Sequence, residues 1–172
     1  MDTELNNLAV AVGERLTDAG CLIATAESCT GGWVAQVVTA VAGSSGWFER
    51  GFVTYSNAAK REMLGVPARI LDQHGAVSEA VAVAMVQGAL DHSRAHVSLA
   101  ITGIAGPGGG SETKPVGTVC FAWARRRIDT PRPLPHKLLH ETRVFSGDRE
   151  SVRRQAVIHS LQQVLALFET TG

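Results

Sequence analysis

Apolar residues along this chain follow two rhythms. Leu5, Leu8, Val12 and Leu16 recur every three or four positions, the spacing of one helix face, and Gly20 stands where a left-handed cap would end that helix. Leu22-Ile23-Ala24-Thr25-Ala26 is a short apolar run that reads as a buried strand, and Trp33 to Val41 returns to helical spacing. Gly43-Ser44-Ser45-Gly46 breaks that helix. Phe52-Val53-Thr54-Tyr55 reads as a second strand. Ser56 or Asn57 then caps a short helix, Ala58 to Leu64, which stops at Gly65-Val66-Pro67. Ser78 begins a helix from Glu79 to Asp91, with Val81, Met85 and Ala89 on one face. Val97 to Ile101 is a buried strand that runs into residues 102–110, the longest glycine-rich loop. Val116 to Ala124 is the next strand. Arg125 to Pro135 is a basic, proline-bearing connection that reads as a solvated hairpin tip. Lys137 to Phe145 alternates like a half-buried strand. Gly147-Asp148 opens a last helix, with Val152, Ala156, Leu161, Val164 and Leu165 as its apolar stripe, to about Phe168.

Strands interleaved with helices predict a layered α/β/α fold, a central mixed sheet with helices on both faces. Its 172 residues suit a single domain spanning 1–172. Ligands of such sheets gather where strands end in loops, which singles out 27–32, 55–60 and 102–110. Composition narrows the partners. Formal net charge is zero, which argues against nucleic acid, because binding a phosphate backbone wants a basic excess. No apolar run reaches the roughly 18 residues of a membrane span. No signal peptide is expected ahead of the first helix. Cys21, Cys29 and Cys120 are odd in number and lack C-x-x-C spacing, so neither a disulfide framework nor a zinc site is expected. A reduced cytoplasm is the expected home.

The polar stretch Ala26-Glu27-Ser28-Cys29-Thr30-Gly31-Gly32 forms the turn between the first strand and the second helix. Such a turn exposes a side chain at the sheet end and aims helix-start N–H groups at whatever that side chain attacks. Ser28 there suits a nucleophile with oxyanion donors nearby, and Gly31 and Gly32 let a ligand approach the backbone. Equally, Ser28 or Thr30 can simply cap the helix. The pattern is not G-x-S-x-G, so it does not by itself indicate a hydrolase elbow.

Lys60 is either a solvated surface lysine or a general base for Ser28. As a base near neutral pH it would have to titrate about three units below ~10.4, a shift of ~4 kcal/mol. Burial and a nearby helix start push that way. His74, His92, His96, His136, His140 and His159 all lie away from the three loops, so a Ser-Lys pair is preferred to a Ser-His-Asp triad. Tyr55, the sole tyrosine, can relay a proton or orient Lys60, or merely hold its hydroxyl in water. Cys29 is the rival nucleophile, preferred here as buried filler. The loop 102–110 meets neither the P-loop nor the G-x-G-x-x-G pattern, and offers backbone N–H groups suited to a phosphate or carboxamide. Lys114 can bind an anion or sit at the rim. Arg149, in the first turn of the last helix, can hold a phosphate or pair with Glu150.

Four segments in order, 26–32, Thr54-Tyr55-Ser56-Asn57 with Lys60, Thr102-Gly103-Ile104-Ala105-Gly106-Pro107 and Lys114-Pro115-Val116-Gly117-Thr118-Val119, resemble the CinA C-terminal domain family from about Leu5 to Leu167. Characterised members of that family are nicotinamide-nucleotide amidases. The resemblance implies hydrolysis of nicotinamide mononucleotide to nicotinic acid mononucleotide and ammonia, with no metal or cofactor. It makes Ser28 the nucleophile, Lys60 its base and Tyr55 a helper. Backbone at Thr30, Gly31 and Gly32 would steady the oxyanion. Thr102, Gly103, Gly106, Gly108 and Gly109 would belong to the substrate pocket, and Arg149 would hold the phosphate. Ser111-Glu112-Thr113 departs from a stretch often written Thr-Pro-Glu, and the basic segment 125–136 is peculiar to this chain. Many relatives add a large N-terminal nucleotide-hydrolase domain, so the form expected here is the stand-alone amidase. The alternatives are a non-catalytic nucleotide-binding module and an assembly role. The apolar helices 79–91 and 149–168 offer an interface for a homodimer or higher homo-oligomer.

Overall fold

The computed structural model describes residues 2–128 and 137–169. Its elements are α1 (Thr3–Ala19), β1 (Ile23–Glu27), α2 (Trp33–Thr39), β2 (Phe48–Val53), α3 (Asn57–Leu64), α4 (Ala68–His74), α5 (Glu79–Asp91), β3 (Val97–Gly103), β4 (Thr118–Arg125), β5 (Lys137–Val144) and α6 (Arg149–Ala166). The sheet order is β2-β1-β3-β4-β5. β1 runs parallel to β2 and β3, while β3-β4 and β4-β5 are antiparallel, so the sheet is mixed as expected.

Period-two alternation sorts the strand residues onto two unequal faces. Ile23, Val97, Leu99, Ile101, Val119, Phe121 and Trp123 meet the apolar stripes of α1, α2 and α6. Ala24, Ala26, Ala100, Ala122 and Ala124 meet α5, with Leu64 of α3 and Leu71 of α4 alongside. Alanine on this second face lets a helix sit close to the sheet. Gly88 of α5 extends the close packing, since a Cβ there would lie 2.0 Å from the Leu64 carbonyl oxygen. On the first face Trp123 Nε1 donates to the Ser160 carbonyl at 2.9 Å, which ties α6 to the sheet centre.

Helix starts follow the polar caps. Asp2 accepts from Glu4 and Leu5 N–H, Ser56 from Ala59 N–H, Ser78 from Val81 N–H and Asp148 from Ser151 N–H. Gly20 closes α1 with a φ of 65°. Two readings need correction. The second strand begins at Phe48 and ends at Val53, so Thr54 and Tyr55 lie beyond it. A helix, α4, follows Pro67 where none was expected; only Leu71 of its seven residues is buried, which leaves no periodicity to read. Most of the basic connection Arg125 to Pro135 lies outside the described residues. Among the described residues, no helix is long and apolar enough to cross a membrane.

After β1 the chain turns to the face that carries α2, and after the neighbouring β2 it turns to the opposite face, which carries α3. A crevice opens at the carboxyl ends of two adjacent strands whose connections diverge this way. Glu27, last residue of β1, is in register with Val53 and Ile101. The turn after it is therefore flanked by the ends of β2 and β3.

Candidate active site

Ser28 follows β1 directly, and its N–H donates to the Ile101 carbonyl at 2.9 Å. Lys60, in the first turn of α3, points back into the crevice. Its Nζ donates to Ser28 Oγ at 2.9 Å, to the Thr54 carbonyl at 2.9 Å and to the Tyr55 carbonyl at 3.2 Å. The lysine is only 1% exposed and Ser28 7% exposed. Of the two readings of Lys60, the solvated one is therefore excluded. Burial pushes its ammonium below the ordinary lysine range, with the nearby Cys29 opposing. Ser28 Oγ in turn donates to the Tyr55 carbonyl at 3.4 Å, so serine and lysine share that acceptor.

Ser28, Cys29, Tyr55, Arg149 and the loop 103–109 line a cavity of about 250 Å³. Gly103, Gly106, Gly108 and Gly109 are thus brought to Ser28. No histidine lines the cavity, and among the described residues no group of three His, Cys, Asp or Glu could hold a metal ion. Arg149 Nη1 donates to the Gly106 carbonyl at 2.7 Å, and Nη2 to the Tyr55 hydroxyl at 3.2 Å. The guanidinium therefore bridges two walls of the cavity. The Tyr55 phenol meets Arg149 and makes no described bond to Lys60; the backbone carbonyl of Tyr55 is what touches the lysine. Burial holds the Cys29 thiol protonated, its pKa pushed up to about 12.

Other expected residues lie behind the cavity wall. The Thr102 hydroxyl donates to the Ala76 carbonyl at 2.8 Å, on the α5 side of the sheet. The Thr30 hydroxyl donates to Glu27 Oε1 at 2.7 Å and is fully buried. The Gly31 N–H is bonded to the Ser28 carbonyl at 3.0 Å, and neither Gly31 nor Gly32 lines the cavity. Lys114 Nζ is held by the His74 carbonyl at 2.9 Å, at the end of α4. By contrast, the N–H groups of Ala105, Gly106, Gly108 and Gly109 carry no hydrogen bond among the described residues.

A family model described as the CinA C-terminal domain matches residues 5–168. The chain belongs to the CinA C-terminal domain family. A relative of the family, the nicotinamide-nucleotide amidohydrolase PncC of Escherichia coli (strain K12), is 54% identical over 167 residues, covering 97% of this chain and 96% of its own. The protein of the same name from Pseudomonas putida is 50% identical over 163 residues, covering 95% and 96%. Among solved CinA-type structures, that of the competence/damage inducible protein CihA from Agrobacterium tumefaciens superposes with a TM-score of 0.90 at 42% identity, covering 98% of each chain.

Two residues of this CinA-family site were not foreseen. Glu27 is 1% exposed, and its carboxylate accepts from Thr30 Oγ1, Val34 N–H and Ala35 N–H. Arg153 donates to the Cys29 and Thr30 carbonyls at 3.0 and 3.2 Å and lies 5.4 Å over the Trp33 ring. The Arg153 signal was available, because Arg149 and Arg153 are one helical turn apart and share a face. So was that of Glu27, because Gly32 at the start of α2 has no side chain with which to cap it.

Proposed function

We propose that this chain hydrolyses the carboxamide of nicotinamide mononucleotide, giving nicotinic acid mononucleotide and ammonia, through Ser28 and Lys60. The observation that carries the chemistry is the 2.9 Å contact between Lys60 Nζ and Ser28 Oγ, buried at the foot of a cavity. The substrate comes from the nicotinamide-nucleotide amidohydrolases that match this chain nearly end to end.

Neutral Lys60 takes the Ser28 proton as Oγ bonds to the carboxamide carbon, and the C=O electron pair moves onto oxygen. The oxyanion is received by free N–H groups of the glycine loop 105–109. That loop takes the place of the backbone at Thr30, Gly31 and Gly32, none of which lines the cavity and of which the Gly31 N–H is bonded to the Ser28 carbonyl. The C–N bond then breaks, and the Lys60 ammonium gives its proton to the leaving nitrogen, releasing ammonia. Water attacks the resulting ester with Lys60 again as base, the acid departs, and the proton returns to Ser28. Arg149, at the cavity rim, pairs with the phosphate through its remaining N–H groups. The three free, buried cysteines suit a reduced cytoplasm.

Ammonia release from nicotinamide mononucleotide, measured with EDTA present, tests the proposal. The native protein is expected to release ammonia and Ser28→Ala to lose at least about a thousandfold in kcat. Undiminished turnover by Ser28→Ala would overturn the serine mechanism, and no release by folded native protein would overturn the amidase reading.

A further inference from the structure

We propose that Glu27 is a positioning residue of this site: its buried carboxylate, through Thr30 and the first turn of α2, fixes the turn from which Ser28 meets Lys60. The proposal rests on the reading of Ser28 as nucleophile. It turns Thr30 from a substrate contact into the partner of Glu27.

The turn 28–32 is short but soft. Gly31 and Gly32 sit at φ of 60° and 101°, conformations that glycine adopts freely and that no side chain stiffens. Something else must hold Oγ within hydrogen-bond reach of Nζ. Glu27 precedes the turn as the last residue of β1, and its carboxylate reaches past the turn to α2. Oε1 accepts from Thr30 Oγ1 at 2.7 Å and from Val34 N–H at 2.9 Å, and Oε2 accepts from Ala35 N–H at 3.1 Å. Both ends of the turn and its middle are thus bound to one rigid group. A negative charge at a helix start also favours these bonds.

The backbone of the same residue reaches the base. The Thr54 N–H donates to the Glu27 carbonyl at 2.8 Å, and the Thr54 carbonyl accepts from Lys60 Nζ at 2.9 Å. Glu27 therefore sits between the nucleophile's turn and the base's anchor. On the outer side Arg153 binds the Cys29 and Thr30 carbonyls, so the turn is held on two sides. A catalytic group displaced by about 1 Å can lose on the order of a hundredfold in rate, so such bracing matters to the reaction as well as to the fold.

A residue that serves only the fold would lower the melting temperature and leave the turnover of folded molecules alone. The test is kcat and KM for nicotinamide mononucleotide, measured well below each variant's Tm, for Glu27→Gln, Thr30→Val, Thr30→Ser and Ser28→Ala. Thr30→Val keeps the shape and removes the donor to Glu27. Thr30→Ser restores it. Glu27→Gln sets an NH2 group against the N–H donors. Glu27→Gln and Thr30→Val are expected to lower kcat at least about tenfold with KM within about threefold, and Thr30→Ser to recover most of that loss. Native kcat in folded Thr30→Val and Glu27→Gln would overturn the proposal. If Glu27→Gln fails to fold, the Thr30 pair decides alone. Turnover by Ser28→Ala would instead overturn the reading beneath it, so the two failures are distinguishable.

Discussion

Tyr55 and Arg149 are joined through the phenol: the Tyr55 hydroxyl accepts from Arg149 Nη2 at 3.2 Å, on the far side of the residue from the carbonyl that holds Lys60. Tyr55 is 61% exposed, as suits a wall of the cavity mouth. A proton relay through this hydroxyl would need contact with the dyad, and the hydroxyl faces the arginine. Tyr55→Phe is therefore expected to leave kcat within about threefold. It should raise KM for the nucleotide by less than about tenfold, the worth of one half-exposed hydrogen bond. Steady-state kinetics check this, and a kcat loss of a hundredfold would return the phenol to proton transfer.

Arg149 itself carries more. Its two described bonds preset the guanidinium against the glycine loop, leaving further N–H groups for an anion. Arg149→Ala should raise KM for nicotinamide mononucleotide by roughly ten- to a hundredfold, as expected for a charge-assisted contact worth about 1.5–3 kcal/mol. The corresponding nucleoside, which has no phosphate, should be affected much less. Equal harm to both substrates would show that Arg149 serves only to hold Gly106 and Tyr55.

What was legible in the sequence follows the range of the forces involved. α1, α5 and α6 show apolar stripes over several turns, and β3 and β4 are apolar runs at the sheet centre, so period and length identify them. β2 is an edge strand reading FERGFV, half exposed, and its alternation is too weak to place its start. Residue types in the site were legible because strand-end loops concentrate chemistry. Their roles were less so. Nothing local says that the Thr30 hydroxyl turns inward to Glu27 or Thr102 to Ala76, because both bonds depend on how helices pack on the sheet. That Lys60 is buried likewise follows from the docking of α3, not from its own neighbours in sequence.

That docking includes a tight point. Gly88 of α5 faces the end of α3, where an added Cβ would come 2.0 Å from the Leu64 carbonyl oxygen. A backbone atom cannot swing aside as a side chain can, so Gly88→Ala must push α3 away. A destabilisation of about 1–3 kcal/mol is expected in urea unfolding. Because α3 carries Lys60, the folded variant should also lose kcat. Full activity in a destabilised variant would show that α3 yields without moving its first turn.

Cys29 neighbours Ser28 and lines the same cavity, yet its thiol is pushed up to about 12 by burial. At pH 8 the thiolate fraction is then on the order of one in ten thousand, and only the thiolate reacts well. Iodoacetamide at pH 8 should leave the native enzyme active and Cys29 unlabelled, as read by mass spectrometry, whereas unfolded chain labels at all three cysteines. Rapid inactivation with label on Cys29 would make the thiol, rather than Ser28, the group to test as nucleophile.

In the proposed mechanism Lys60 ties activity and stability to the same proton. Burial lowers its pKa in the folded state, so the unfolded chain, near ~10.4, binds that proton more tightly. Between the two values the unfolded state holds more protons, and stability must rise with pH across that window. Below it the penalty for burying the ammonium is fully present; above it both states are neutral and the penalty is gone. The neutral amine that the proposed mechanism uses grows in over the lower edge of the same window. kcat/KM for nicotinamide mononucleotide should therefore climb with pH and level off below the ordinary lysine range. Native stability, followed by urea unfolding at successive pH values, should rise relative to Lys60→Met over the alkaline side of that climb. Parallel stability curves for the two proteins would mean that Lys60 titrates as an ordinary lysine, and the base role would have to move to another group.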